Sequence, residues 1–260
     1  MKKIIWVIDN QFGINPYKFI NSLLGLIWYF TDLIKIKKVY NGEISYLPCL
    51  IDKYAEGGSA KSEYFIQDLF VARQIYQNKP YLHYDLGSRV DGFISNIATF
   101  TKVKVFDIRP INSTIENLEF EQLDIMKSNL DYSEIADSLS CLHTIEHFGL
   151  GRYGDTIDIN GLENGFINLV KLLKANGLFY LSTPIGKKKI VFNAHRISSP
   201  IEIIELAKLN NLVLLDFAYI KNDELIYNNT HENILNIIES LKFEKYVLGI
   251  FIFKKVIKLN

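Results

Sequence analysis

Tyr81-Leu82-His83-Tyr84-Asp85-Leu86-Gly87-Ser88 decides the fold. The run is short, apolar and aromatic, and it ends in an acid closely followed by glycine. That is a strand stopping at a tight turn, where glycine lets the backbone approach a ligand. Beyond it, Phe93, Ile94, Ile97, Ala98 and Phe100 recur with a helical period. Val103-Lys104-Val105-Phe106-Asp107 is a second strand ending in an acid. Leu118 to Leu123 is a third, ending at Asp124, and Ser138 to Leu142 a fourth, short and apolar.

The alternation continues. Leu162, Phe166, Leu169, Val170 and Leu173 make a helix stripe stopped at Asn176-Gly177. Leu178 to Ser182 is a fifth strand, and a helix over Ile201 to Leu209 leads to a sixth, Leu212 to Tyr219. A helix over Asn233 to Leu241 and a last strand, Tyr246 to Val256, close the pattern. Strands alternating with helices predict an α/β fold with a mostly parallel sheet covered on both faces. The late strands lack a clear crossover helix and suit antiparallel pairing. The expected organisation is a mainly helical extension over residues 1–78 and a sheet domain over 79–260.

Composition narrows the function. Lys plus Arg and Asp plus Glu number 29 each, so no net positive charge points to nucleic acid. The two cysteines, Cys49 and Cys141, form neither a disulfide framework nor a metal knuckle, which fits a reducing cytosol. The start briefly resembles a signal peptide, but Asp9, Asn10 and Gln11 end the apolar run early. Phe19 to Phe30 is apolar yet shorter than the roughly 20 residues of a membrane span. It is expected to be a buried or interfacial helix, serving as a lid or dimer element, with no membrane span.

In such a sheet, ligands bind at the carboxyl ends of the strands. Asp85, Gly87 and Ser88 sit at the first turn, Asp107 where a carboxylate meets two ribose hydroxyls, and Asp124 where an acid meets an adenine amino group. His143 follows the fourth strand. The full G-x-G-x-x-G pattern of a pyrophosphate site is missing, since the turn reads Gly87-Ser88-Arg89-Val90-Asp91-Gly92. The ligand expected is S-adenosylmethionine rather than NAD.

From about Tyr81 onward the chain resembles class I S-adenosylmethionine-dependent methyltransferases, whose Rossmann-like sheet has seven strands with an antiparallel last strand. It most resembles a bacterial and nematode group first described only as a domain of unknown function. The stretches that carry this are Tyr64 to Asp68, Asp85 to Phe93, Phe106 to Pro110, Glu146 to Asp155 and Phe192 to Arg196. The resemblance implies cofactor binding by Asp85, Gly87, Asp107 and Asp124. Ser88, Arg89, Ile108, Ile125 and His143 complete the expected cofactor set. By analogy with relatives in polysaccharide gene clusters, it implies O-methylation of a sugar or nucleotide sugar in capsule or lipooligosaccharide synthesis. A methyltransferase for a non-sugar small molecule and a non-catalytic module of this fold are the alternatives.

A hydroxyl acceptor needs a base or a metal to weaken its O–H bond. His143, His147 and His195 follow strands, and a helix after the fourth strand would put His143, Glu146 and His147 on one face. Two routes stay open: a histidine base oriented by Glu146, or a divalent metal on His143, Glu146, His147 and His195. Metal-dependent relatives carry E-x-x-E-H here, and this chain departs from that pattern at His143. Arg152, Tyr153, Asp155, Asn193 and Arg196 are the expected acceptor contacts. The rival reading of Arg152 to Asp155 is a loop with an internal ion pair. His83 is expected to be packed or hydrogen bonded and His231 to be on the surface. Lys187-Lys188-Lys189 reads as a solvated run. The H-x-x-E-H pattern also occurs in zinc proteases, but Gly149, Gly151 and Gly154 break the helix that reading requires. No Asp-x-Asp motif supports a glycosyltransferase.

Overall fold

A computed structural model describes residues 2–58, 60–112, 114–127, 132–227 and 233–257. His231 lies outside them. The chain divides into two units, Met1–Ser59 and Ala60–Asn260.

The first unit holds helices α1 (Lys2–Phe12) and α2 (Pro16–Lys37). Asn15 caps α2 by accepting from the Lys18 amide, and Pro16 starts it, the position where a missing N–H costs nothing. Gly25 makes room for Leu50, whose carbonyl oxygen would lie 2.1 Å from an added Cβ. The apolar run is thus part of a 22-residue helix, which by length and composition alone reaches that of a membrane span. The helix is not buried: Phe19, Leu23, Ile27, Phe30 and Ile34 are exposed.

The second unit begins earlier than the sequence suggests. Helix α3 (Glu63–Asn78) is capped by Ser62 and buries Phe70, Val71, Ala72 and Ile75 in one layer of the core. The expected boundary at residue 78 therefore moves to residue 59, because this helix covers a face of the sheet.

Ten strands follow in chain order: β1 (Leu82–Leu86), β2 (Lys102–Asp107), β3 (Leu118–Gln122), β4 (Ala136–Leu142) and β5 (Leu173–Ile185), then β6 (Lys189–Val191), β7 (His195–Ile197), β8 (Leu212–Lys221), β9 (Glu224–Tyr227) and β10 (Val247–Lys255). Among the described residues, eight form one sheet in the order β3-β2-β1-β4-β5-β10-β8-β9, and β6 and β7 make a separate hairpin. The first five run parallel to one another, whereas β10 runs antiparallel to both β5 and β8. The expected count of seven becomes eight because β9 folds back on β8. Its two-residue turn, Asn222-Asp223, has positive φ at both positions, the conformation that Asn and Asp tolerate in tight hairpins.

Helices α4 (Ser95–Ala98), α5 (Gly161–Leu172), α6 (Pro200–Leu209) and α7 (Ile234–Leu241) complete the unit. The strands alternate between two apolar layers. Phe179, Leu181, Phe251 and Phe253 face Phe166 and Leu169 of α5, while Tyr180, Ile250 and Ile252 share the other layer with Phe70, Ile75 and Phe93. Apolar residues on both faces of a strand require cover on both sides.

The connection from β4 to α5 is a long loop with positive φ at Gly149, Gly151 and Gly154. An added Cβ at Gly149 would lie 2.1 Å from the Asp158 carbonyl oxygen, whereas at Gly154 it meets nothing within 4 Å. Gly154→Ala should therefore cost only the left-handed backbone penalty, about 1 kcal/mol. Gly149→Ala adds overlap with main chain and should lower the melting temperature clearly further. Equal losses in thermal unfolding would contradict the close approach.

Candidate active site

Strand β1 lies between β2 and β4, so the connections leave it in opposite directions and open a crevice at the carboxyl ends. A cavity of about 650 Å³ occupies this position, walled by Asp68, Gly87, Asp107, Arg109, His143, His147, Arg152 and Tyr153 among others. A narrow slot adjoins it. Leu86, Gly87, Asp107, Ile108, Asp124 and Ile125 line this slot, and it shares Gly87, Asp107, Arg109, His143, His147 and Tyr153 with the cavity.

The turn after β1 is built by Asp85. Its carboxylate accepts from the Ser88 amide at 2.9 Å, the Ser88 hydroxyl at 2.8 Å and the Ser140 hydroxyl. Burial pushes its pKa up to about 7 against these donors. Since Ser140 gives its proton to Asp85, His83 Nε2 must donate to Ser140 Oγ at 2.8 Å, and Nδ1 accepts from Ser138 at 2.7 Å. His83 is thus neutral and internal, and burial lowers its pKa to about 3. Asp85 lines neither the slot nor the cavity: its oxygens are used in holding the turn. Gly87 adopts φ +78°, and an added Cβ would lie 2.4 Å from Thr144 Cγ2.

Asp107 does face both spaces. Arg109 currently holds its carboxylate through Nε at 3.0 Å, Nη2 at 2.6 Å and the backbone amide at 2.8 Å. The Arg109 guanidinium also lies 4.6 Å from the Tyr153 ring centroid, and Arg152 lies 5.1 Å from the same ring. Asp124 accepts from the Met126 amide and lines the slot with Ile108 and Ile125. Arg89 lines the cavity from the outside, paired with the equally exposed Asp91.

Beyond β4 the chain does not turn helical at once. His143 takes φ +53°, its amide bonds to Ser182, and a single tight turn covers Ile145–His147. The turn nevertheless brings His143, Glu146 and His147 together with ligand atoms within 4.8 Å of one another. Glu146 is fully buried and touches His143 Nδ1. On its other side, His143 Nε2 reaches Glu63 at 3.2 Å, and the ring stacks on Tyr64 at 4.5 Å. Burial opposes charge on His143, but the Glu146 and Glu63 carboxylates outweigh it and raise its pKa to about 10. Glu146 is lowered despite its burial, because His143 supplies the opposing charge. His147 is different: burial lowers its pKa, and Nδ1 donates to the Ala194 carbonyl at 2.6 Å. Its Nε2 therefore carries a free lone pair.

Several expected positions fall elsewhere. His195 is half-buried with its ring 6.1 Å from Tyr246, and it stands outside the cluster of His143, Glu146 and His147. Asn193 is exposed and lines neither space. Asp155 lines the slot but spends its oxygens on the Gly151 and Tyr153 amides of its own loop. No ion pair between Arg152 and Asp155 holds the loop among the described residues. Arg152 instead donates to Ala194 O at 3.0 Å. Arg196 is buried, with Nη1 on Phe148 O and Nη2 on Asp158 O at 3.0 Å. It clamps the loop and lines neither the slot nor the cavity. Residues the sequence reading did not single out also contribute: Glu63 and Tyr246, whose hydroxyl donates to Glu63 at 2.8 Å, and Asp68, which burial raises to about 6. Tyr64 to Asp68 does belong to the motif stretches, which was the available signal.

This fold is similar to that of several solved methyltransferases and of a cyclase. The 4+2 cyclase SpnF superposes with a TM-score of 0.52 at 12% identity, covering 78% of this chain and 85% of its own. The N-methyltransferase NodS of Bradyrhizobium japonicum, solved with S-adenosyl-L-homocysteine, gives 0.51 at 10% identity and covers 85% and 97%. An O-methyltransferase from a Brevibacillus brevis trans-AT PKS multienzyme, also with S-adenosyl-L-homocysteine, gives 0.51 at 16% identity and covers 74% and 72%. These likenesses establish the fold. Residues 96–240, more than half of the chain, match the family described as Caenorhabditis protein of unknown function, DUF268, and the chain belongs to that family. Comparison with curated proteins by sequence gives no match.

The clamp role of Arg196 has a measurable cost. Arg196→Lys keeps one donor for the Phe148 and Asp158 carbonyls, whereas Arg196→Met removes both and leaves Asp158 O with only the Gly161 amide. The expected losses in urea unfolding are about 1–3 kcal/mol and a larger value for Met. Stability unchanged in both variants would contradict the clamp.

Proposed function

We propose that this protein is an S-adenosylmethionine-dependent methyltransferase acting on a hydroxyl of a small molecule. The observation that carries the reading is Asp107, standing at the end of β2 where the slot meets the cavity, with the imidazoles of His143 and His147 on the shared wall. The residues present suit the cofactor. Gly87 lines both spaces at the turn after β1, where an added side chain would meet Thr144, and no phosphate-binding turn is needed. Bound there, S-adenosylmethionine supplies a methyl group activated by its sulfonium.

The chain's own residues supply binding and orientation. Asp107 accepts from the ribose hydroxyls once Arg109 moves aside. Ile108 and Ile125 enclose the base, and Asp124 accepts from its amino group. On the acceptor side, His147 lines the cavity, and its Nε2 lone pair is free to meet either a proton or a cation. Tyr153, Arg109 and Arg152 supply an aromatic ring with two guanidiniums, which suits an acceptor carrying phosphate. A nucleotide sugar used for surface polysaccharide has that chemistry, which places the work in the cytosol. The N-terminal helices, with their exposed apolar residues, serve in this reading as a self-association element.

The fold alone leaves the reaction open, since the SpnF cyclase shares it. Titration calorimetry decides the first step. The wild type should bind S-adenosylmethionine and Asp107→Ala at least about 10-fold more weakly, the loss of a charge-assisted pair of hydrogen bonds. No binding by the folded wild type removes the methyl-transfer reading and favours a non-catalytic module. His147→Ala should keep cofactor affinity and lose about 100-fold or more in turnover on an accepted sugar nucleotide.

A further inference from the structure

We propose that His143, Glu146 and His147 hold a divalent transition-metal ion at the cavity wall. The three side chains are buried and bring one ligand atom each within 4.8 Å of the others. Proximity alone would mean little, but three further observations point the same way.

The first is the orientation of the rings. Metal-bound histidines commonly donate their far nitrogen to a carbonyl or a carboxylate, which fixes the tautomer. Both rings here are held so. His147 Nδ1 is bound to Ala194 O at 2.6 Å, leaving Nε2 free and 3.7 Å from Glu146 Oε1. His143 Nε2 faces Glu63 at 3.2 Å, leaving Nδ1 toward Glu146, and Glu63 is itself held by the Tyr246 hydroxyl. Two ligands about 2.1 Å from one ion at a tetrahedral angle lie about 3.4 Å apart, close to the His147–Glu146 separation.

The second is an unsatisfied acceptor. Glu146 Oε2 is buried and has no hydrogen-bond partner among the described residues. A buried carboxylate oxygen in that state lacks a donor or a cation. The third is access. His143 and His147 line the cavity while Glu146 lies behind them, so an ion held by all three keeps open positions on the cavity side. Three protein ligands with an open position is the arrangement of a catalytic metal site rather than a structural one.

Two imidazoles and one carboxylate select zinc, manganese or iron over magnesium, which prefers oxygen ligands. As the ion enters, the proton shared by His143 Nδ1 and Glu146 Oε1 leaves to solvent, Nδ1 turns its lone pair to the metal, and the Glu146 carboxylate turns to it with Oε2 as well as Oε1. If the methyl-transfer reading holds, the open position is where the acceptor hydroxyl sits, its O–H bond weakened by the ion. Metal binding itself does not depend on that reading.

The test uses the full chain, stripped with a chelator and titrated separately with Zn²⁺, Mn²⁺ and Mg²⁺. One zinc or manganese ion per chain should bind, with magnesium about 100-fold weaker or more. His147→Ala and Glu146→Gln should abolish that binding. Glu63→Gln, a positioning change outside the ligands, should weaken it about 10- to 100-fold. Should a ligand variant fail to fold, the wild type still answers: its melting temperature rises with zinc or manganese and returns on chelation. A folded wild type that takes up no ion, binds magnesium as tightly as zinc, or loses nothing in His147→Ala overturns the site. Calorimetry with S-adenosylmethionine on the same stripped protein reports on methyl transfer separately, so either idea can fail alone.

Discussion

A carboxylate sealed inside the protein needs positive charge beside it, and Glu146 sets that demand for the whole second unit. Water cannot solvate it, since the residue is fully buried. His143 answers from the end of β4, bent into a left-handed conformation to reach it. That ring in turn fixes Glu63 from α3, and Glu63 fixes Tyr246 just before β10. His147 closes the other side by tying the turn to Ala194, just before β7. One buried charge thus draws four separated segments to the carboxyl edge of the sheet.

The sheet supplies the rest of the frame. Its parallel strands end in polar residues because their apolar stretches are confined between two layers of core. Asp85, Asp107 and His143 mark these ends, yet they do different work. Asp85 is consumed by three donors, two from Ser88 in its own turn and one from Ser140 on β4, and only Asp107 and His143 reach the cavity wall. Equivalent positions in a fold do not imply equivalent exposure to ligand.

The same distinction explains what could be read from the sequence. Strands β1 to β5 were legible because each apolar run stops at an acid, a histidine or a turn. Strand β9 was not, since four residues after Asn222-Asp223 carry too little periodicity, and the β6–β7 hairpin hid beside the Lys187-Lys188-Lys189 run. Helix α3 looked like part of an extension because its apolar face gives no sign of which partner it covers. At the site, Asp107, His143 and His147 were visible from their places after strands. Glu63 and Tyr246 were not, because only the folded chain brings residues 183 positions apart into contact. Arg196 misled for a related reason: the loop carbonyls it binds become enclosed only when the Gly149 to Asp158 loop closes around it.

The grip of Arg109 on Asp107 couples two halves of the crevice. Any ligand that claims the Asp107 carboxylate must first detach a guanidinium bound through two nitrogens. The freed cation stays tethered two residues away, beside Tyr153, where it adds charge to the larger chamber. Occupancy of the slot therefore makes the chamber more attractive to anions. By reciprocity, an anion that draws Arg109 away unmasks Asp107 and tightens whatever the slot holds. Coupled filling of slot and chamber is the consequence of one guanidinium serving both walls.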